Sequence, residues 1–417
     1  MAGTVKPIRI ALFAAWPVYY QAPLYRLIAA DERFDFTAIF ASSAGIRPFD
    51  RGFGQAVAWG DDALDGYRSV FLRAADRRAP GGFTSLRDPD VIGALARGKY
   101  DVLWMHGYNS ITHLLALATQ RLRGAPVLLR EEQTLLRPRS RVRRVAKAPL
   151  LRMLFSQVRG LPIGTESRRW FAHYRVPDQR LFVVPYGIDV AESRRLAGGL
   201  EPRRAALRAA IGIEDQRPIV LCVGRLIPEK QPLAVLEAFA QVRAKRPCAL
   251  VFVGSGPLEQ ELRERVATAS IPDVVFAGLR RQDELPELYV AGDVLVQFSI
   301  SETWGYTLSE ALTYGLPVVA SDRVGAATDL VVEGENGFRV PFSDTDALAS
   351  SLLRLVEDDD LRRSFRAGSN RVIEGYTYAA AAKGLAAAVR SAVGERRWRE
   401  ALPAPPEGAA HVGTVPA

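Results

Sequence analysis

Cysteine, methionine and histidine are all scarce in this 417-residue sequence, at two, three and four residues respectively. Cys222 and Cys248 both fall in apolar, strand-like runs, which excludes a disulfide framework and predicts reduced core side chains of a cytosolic protein. Neither shares a metal-ligand spacing with the histidines. No apolar run approaches the roughly 18 residues needed to cross a bilayer. The opening MAGTVKPIRIALFAAWP holds only a short apolar segment, which reads as a first strand and not as a signal peptide, so the expected location is cytoplasmic. There is neither an aromatic-rich RNA-binding signature nor a zinc finger, so nucleic acid is not an expected partner in spite of the net charge of +9.

That charge is unevenly placed. Residues 1–190 carry 28 Lys and Arg against 16 Asp and Glu, while residues 191–417 carry 27 against 30. Much of the excess lies between Arg137 and Gly160, where Arg137, Arg139, Arg141, Arg143, Arg144, Lys147, Arg152 and Arg159 are interleaved with Leu150, Leu151, Met153, Leu154 and Phe155. Such a segment suits an anionic membrane surface, or is a solvated basic helix whose apolar residues face the core. The length fits two domains of about 200 residues each.

The chain is organised around Val294 to Ser321. An apolar strand, Val294 to Phe298, passes through a polar loop into a helix and then into a second apolar run, Leu316 to Ala320. Thr307 suits the N-cap, Glu310 the third position of a capping box, and Gly315 followed by Pro317 the stop. Glu302 is then in the loop beyond a strand's carboxyl end, and Glu310 in the first turn of the next helix, where it suits a hydroxyl-rich partner such as a ribose. Gly305 permits close backbone approach, and the amides of Thr303, Trp304 and Gly305 are candidate donors to sugar hydroxyls or phosphate oxygens.

Upstream, the strand Ile219 to Val223 leads into Gly224-Arg225-Leu226-Ile227-Pro228-Glu229-Lys230. Arg225 offers a planar fork and Lys230 a compact charge, apt for a diphosphate. Gly254-Ser255-Gly256 after the strand Ala249 to Val253 is weak evidence by itself. In the first half, Ile8 to Phe13, Phe36 to Phe40, Tyr100 to Met105, Pro126 to Leu129, Gly160 to Gly164 and Leu181 to Val184 read as strands, and His106 stands at the carboxyl end of one of them. Tyr19 and Tyr20 follow the first strand as a stacking wall for a sugar ring, or as packing. Glu131 and Glu132 are candidate acceptor contacts, or neutralise the arginines that follow.

The pattern Ser299-x-x-Glu302-x-x-Gly305 with Glu310 after seven intervening residues, then Ala311-Leu312-x-x-Gly315-Leu316-Pro317-Val318-Val319-Ala320-Ser321, resembles the donor-site signature of retaining glycosyltransferases of family 4. Gly224-Arg225-Leu226-x-x-Glu229-Lys230 is a second match, whereas Trp304 and Tyr306 depart from the residues more usual there. The resemblance implies an α/β protein with the GT-B fold, two Rossmann-like parallel-sheet domains facing across a cleft. It implies an acceptor domain over 1–190, a connection over 191–216, a nucleotide-sugar domain over 217–385, a helix over 386–402 crossing back to the first domain with Trp398 as its candidate anchor, and a disordered tail from 403.

It further implies transfer of a hexose, with retention, from a UDP- or GDP-sugar to a hydroxyl of a glycan or lipid-linked acceptor in envelope or exopolysaccharide synthesis. Arg225 and Lys230 would hold the diphosphate, Glu310 the ribose, and the backbone at Leu279 and Arg280 the base. Glu302 would act on the donor sugar, with His106 against it. No Asp-x-Asp pair stands in a suitable strand-end loop, so no metal or other cofactor is expected. Rival readings are glycosylation of a small-molecule aglycone, a nucleotide-sugar epimerase or phosphorylase, and a non-catalytic nucleotide-sugar binder.

Overall fold

A computed structural model describes residues 6–46, 49–50, 55–56, 62–76, 81–137 and 141–401, so the expected tail from 403 lies outside the described residues. Six parallel strands form the first sheet: β1 (Ile8–Ala14), β2 (Phe34–Phe40), β3 (Arg68–Phe71), β4 (Val102–His106), β5 (Val127–Glu131) and β6 (Arg159–Pro162). Six more form the second: β7 (Ile219–Val223), β8 (Ala249–Val253), β9 (Val274–Gly278), β10 (Val294–Gln297), β11 (Val318–Ser321) and β12 (Gly337–Val340). The spatial orders, β3-β2-β1-β4-β5-β6 and β9-β8-β7-β10-β11-β12, are the same doubly wound order twice. Each reverses direction of winding beside its first strand, which sets a crevice at the carboxyl ends of β1 and β4 and another at those of β7 and β10.

The strands read as continuous apolar runs because helices cover both faces of each sheet. Phe13, Leu103, Met105 and Leu129 fill one side of the first sheet, and Leu12, Trp104 and Leu128 the other. The expected strand Leu181 to Val184 is not one. It runs beside β6 with a single bridge, Gly160 to Leu181, and two bonds, Phe182 N to Gly160 O at 3.0 Å and Val184 N to Pro162 O at 2.9 Å. Pro162 has no N–H to donate in return, so a full ladder cannot form.

Residues 191–216 are more than a connector. The helices Val190–Leu200 and Arg204–Ala210 set Leu207 against Val290 and Ala291. Arg204 and Arg208 both reach Asp293, at 2.6 and 3.2 Å. The return to the first domain begins earlier than residue 386. The helix Tyr378–Val393 already buries Ala381, Leu385, Ala388 and Val389 among Leu24, Tyr25 and Ile28. Trp398 then packs on Phe34, 6.1 Å between ring centroids, under the Arg33 guanidinium at 5.0 Å.

The two crossings touch, Ile188 N donating to Tyr376 O at 3.0 Å. Between the domains, Tyr20 stacks on Tyr306 at 5.2 Å, and the Asp329 carboxylate accepts from both Thr165 N (2.9 Å) and Thr165 Oγ1 (2.6 Å). The second domain thereby caps the N-terminus of the first domain's helix Thr165–His173.

Candidate functional site

The loop after β7 sits at the second sheet's crevice. Gly224 has φ +142° and donates to Val253 O at 2.9 Å, and Gly254 has φ +138°. A Cβ on Gly254 would lie 2.0 Å from Gly224 O, and one on Gly256 would lie 2.4 Å from Leu226 O. The Gly-Ser-Gly turn therefore lets two backbone loops pass in contact, a packing role that spacing alone does not reveal.

The crevice contains a cavity of about 180 Å³ lined by Gly224, Gly254, Leu279, Arg280, Gln282 and Glu310, with Tyr19 reaching in from the first domain. Arg225 and Lys230 line an adjoining crevice with Cys222 and Ser299. Lys230 Nζ pairs with Glu302 Oε2. Burial, and then the neighbouring Arg225, pull the Lys230 ammonium down to about 8, while the Glu302 contact acts in the opposite sense.

Glu302 is in a loop beyond β10, as expected, held by Glu302 N donating to Arg323 O and Gly325 N donating to Glu302 O, both at 3.1 Å. Ile300 N donates to Glu229 O at 2.9 Å and ties this loop to that of Lys230. Among the described residues the amides of Thr303, Trp304 and Gly305 make no hydrogen bond within the protein. The Trp304 side chain does not face this opening. It is buried against Tyr186, 5.9 Å between rings, and Nε1 donates to Ser309 Oγ at 3.2 Å, leaving only its backbone for a ligand.

The capping expectation is overturned. The helix runs Tyr306–Thr313 with Gly305 as N-cap at φ +103°, and Thr307 is inside it. Left-handed Gly305 turns the chain into the helix two residues before the Ser/Thr signal. Glu310 consequently lies past the first turn and caps nothing. Its carboxylate accepts from Gln282 Nε2 at 2.6 Å and Tyr289 OH at 2.9 Å. Burial raises its pKa, and these two bonds only partly oppose that. Gln282 Oε1 in turn accepts from Tyr19 OH at 3.3 Å, a link across the cleft.

In the first domain, His106 ends β4 beside Gly107 at φ +77°, with Tyr25 and Trp104 as ring neighbours. Burial, then Arg130 and His113, hold its pKa well below the usual histidine value, so it is a neutral imidazole. His113 is structural: Nε2 donates to His106 O at 3.0 Å and Nδ1 meets Ser110 Oγ at 2.6 Å. His106 pairs in register with Arg130 on β5. Arg130, 1% exposed, donates from Nη1 to Val184 O at 3.1 Å, lies 3.7 Å from Glu132 and covers the Tyr186 ring at 4.8 Å. Glu131 turns back on its own loop, accepting from Glu132 N and Gln133 N.

The second domain thus sets Gly224, Arg225 and Lys230, with Glu302 paired to Lys230, in one crevice and Leu279, Arg280 and Glu310 in another that adjoins it at Val223 and Gly224, and His106 stands in the first domain. Sequence reasoning missed Gln282, which no motif marks, Tyr289, which reads as an apolar helix face, and Arg130, which ends an apolar strand in front of two glutamates. No group of three or more His, Cys, Asp or Glu able to hold a metal occurs among the described residues.

Residues 203–371 match the family described as Glycosyl transferases group 1. An alpha-D-kanosaminyltransferase of Streptomyces kanamyceticus is 32% identical over 220 residues, covering 52% of this chain and 54% of that protein. A D-inositol 3-phosphate glycosyltransferase of Salinispora arenicola is 30% identical over 232 residues, covering 53% and 52%. The chain spans about half the length of these curated relatives. Among solved structures, Anabaena HepE in complex with UDP superposes with a TM-score of 0.70 at 16% identity, over 93% of this chain and 100% of that one. A glycosyltransferase from Rickettsia africae gives 0.72 at 12% identity, over 93% and 99%. Over residues 203–371 the chain is thus similar to the glycosyl transferases group 1 family, and its two sheets have the GT-B fold.

Proposed function

We propose that this protein is a retaining glycosyltransferase of family 4 type, moving a hexose from a UDP- or GDP-sugar to a hydroxyl of a glycan or lipid-linked acceptor of the cell envelope. The observation that carries this reading is the Lys230–Glu302 pair, beside Arg225, in a crevice that adjoins the cavity of Glu310 at Val223 and Gly224. Its chemistry is that of a leaving nucleoside diphosphate next to a sugar. Arg225 and Lys230 meet the diphosphate and become more strongly bound as its charge grows in the transition state. The amides of 303–305 add donors at the same edge.

Glu302, released from Lys230 by the incoming phosphate, faces the sugar ring and stabilises the positive charge that develops there. Glu310 accepts ribose hydroxyls in place of Gln282, and the Leu279–Arg280 backbone lies where a base edge would be read. Neutral His106 accepts a sugar hydroxyl and does not act as an acid. Charge compensation by two cations and the amides gives the reading a metal-independent reaction. UDP in Anabaena HepE makes UDP the first nucleotide to try. The test is release of nucleoside diphosphate from UDP-glucose and GDP-mannose, with and without EDTA. Release that is sugar-nucleotide specific, EDTA-resistant and abolished in Glu302→Gln supports the proposal; equal release by Glu302→Gln contradicts it.

A further inference from the structure

The helix Arg141–Ser156 leaves the carboxyl end of the first sheet and carries apolar residues on two opposite sides. Leu151, Leu154 and Phe155 are buried in the first-domain core at 6%, 7% and 0% exposure, so the helix cannot rotate. At about 100° per residue the side turned away from that core carries Val142, Val145, Leu150 and Met153. These are 77%, 71%, 56% and 63% exposed, a ridge along the helix and not a scatter of single residues. At the same spacing exposed Arg152 borders the ridge about 20° from Val145, and exposed Lys147 lies about 60° beyond Leu150 around the helix. From residue 133 to residue 165 the sequence contains no Asp or Glu.

The root of this helix also reaches the candidate reaction centre. Leu136 O, in the loop that leads into it, accepts from Arg323 Nη1 at 3.0 Å, and Arg323 O accepts from Glu302 N at 3.1 Å.

We propose that this helix docks the protein on an anionic lipid bilayer, its ridge sunk between headgroups and its cations against them, so that the cleft opens beside a lipid-linked acceptor. The acceptor half of this inference rests on the transferase reading; the docking half does not. An exposed apolar ridge accompanied by exposed cations on a fixed helix is the form of an interfacial helix that lies in the plane of a membrane. Charge complementarity selects an anionic lipid surface, since every charged side chain in the segment has one sign. Docking of this kind needs no spanning segment, and no described helix is long and apolar enough to cross a membrane.

Co-sedimentation of the full chain with phosphatidylglycerol/phosphatidylcholine vesicles, against phosphatidylcholine alone, tests it at low and high salt. The wild type should pellet with the anionic vesicles at low salt and much less at high salt. Leu150→Asp with Met153→Asp, and separately Lys147→Ser with Arg152→Ser, should each weaken binding at least ~10-fold, whereas Lys245→Ser on the second domain should not. All these positions are exposed, and each variant's unfolding midpoint should match that of the wild type. The proposal is overturned if the wild type stays in the supernatant at low salt, if the ridge variant pellets as well as the wild type, or if the ridge proves to hold a dimer that the Asp variant dissociates. Loss of nucleotide binding in the wild type would instead contradict the transferase reading and leave the vesicle result standing.

Discussion

Lys230 gives the site a proton signature that can be worked out in advance. Burial and Arg225 hold its ammonium at about 8 in the free protein, against an ordinary 10.5. A nucleoside diphosphate leaves that burial in place but sets more negative charge against the ammonium than the single Glu302 carboxylate it displaces, and so raises the pKa toward its ordinary value. A group of pKa about 8 is about a quarter protonated at pH 8.5 and about nine-tenths protonated at pH 7. Binding should therefore take up about 0.75 proton at the higher pH and about 0.1 at the lower. The complex holds more protons than the free protein above pH 8, so affinity falls as pH rises, by about 0.75 log unit per pH unit near pH 8.5. The ligand's own phosphate, with a second pKa near 6, is fully ionised there and adds nothing.

Isothermal titration in two buffers of different ionisation enthalpy counts the protons directly. Lys230→Arg keeps the charge but cannot titrate, and should show uptake close to zero. Uptake below about 0.2 proton in the wild type, or equal uptake in both proteins, would refute the assignment of Lys230 to the diphosphate.

Glu302→Gln should lower kcat for nucleotide release at least ~100-fold while the nucleotide dissociation constant, measured by titration, stays within a few-fold. Glu310→Gln should weaken nucleotide binding by about 10-fold, the cost of one charge-assisted hydrogen bond. Because burial raises the Glu310 pKa, wild-type affinity should also fall as pH drops through that raised value and the carboxylate gains a proton, an acid limb missing from the Gln variant. Gly254→Ala puts a Cβ 2.0 Å from Gly224 O at φ +138°, so the loop must move and nucleotide-dependent thermal stabilisation should be lost even where the fold survives. Trp398→Ala empties the space beside Phe34 and Arg33 and should cost about 3–5 kcal/mol in urea unfolding; less than about 1 kcal/mol would mean the return helix is not held by that side chain.

Much of the fold is legible from local pattern. β7 and β8 match the apolar runs Ile219 to Val223 and Ala249 to Val253 to the residue, because a strand buried on both faces has no exposed position to blur its ends. Edges are harder: Leu181 to Val184 has strand composition, yet its pairing fails on the missing N–H of Pro162, a neighbour in space. The helix at Tyr306 begins where a left-handed glycine permits and not where a threonine suggests.

At the candidate site, Arg225, Lys230, Glu302 and Glu310 stand out because charge recurs beside glycine at strand ends. Their partners do not. Gln282 and Tyr289 come to Glu310 from a different loop and helix, and Asp329 reaches Thr165 across 164 positions, relations that exist only once both sheets are assembled. Part of what buries Trp304, the Tyr186 ring, lies likewise in the other domain.

The central claim is that the crevice of the second sheet binds a nucleoside diphosphate through Arg225 and Lys230. It is tested most directly by the thermal stability of the purified protein with UDP, GDP, ADP, CDP and dTDP in turn, beside an Arg225→Ala, Lys230→Ala variant. The account predicts an upward shift of the unfolding temperature with one of these nucleotides, lost in the variant. A shift of equal size in the variant, or none with any nucleotide in the wild type, would contradict it.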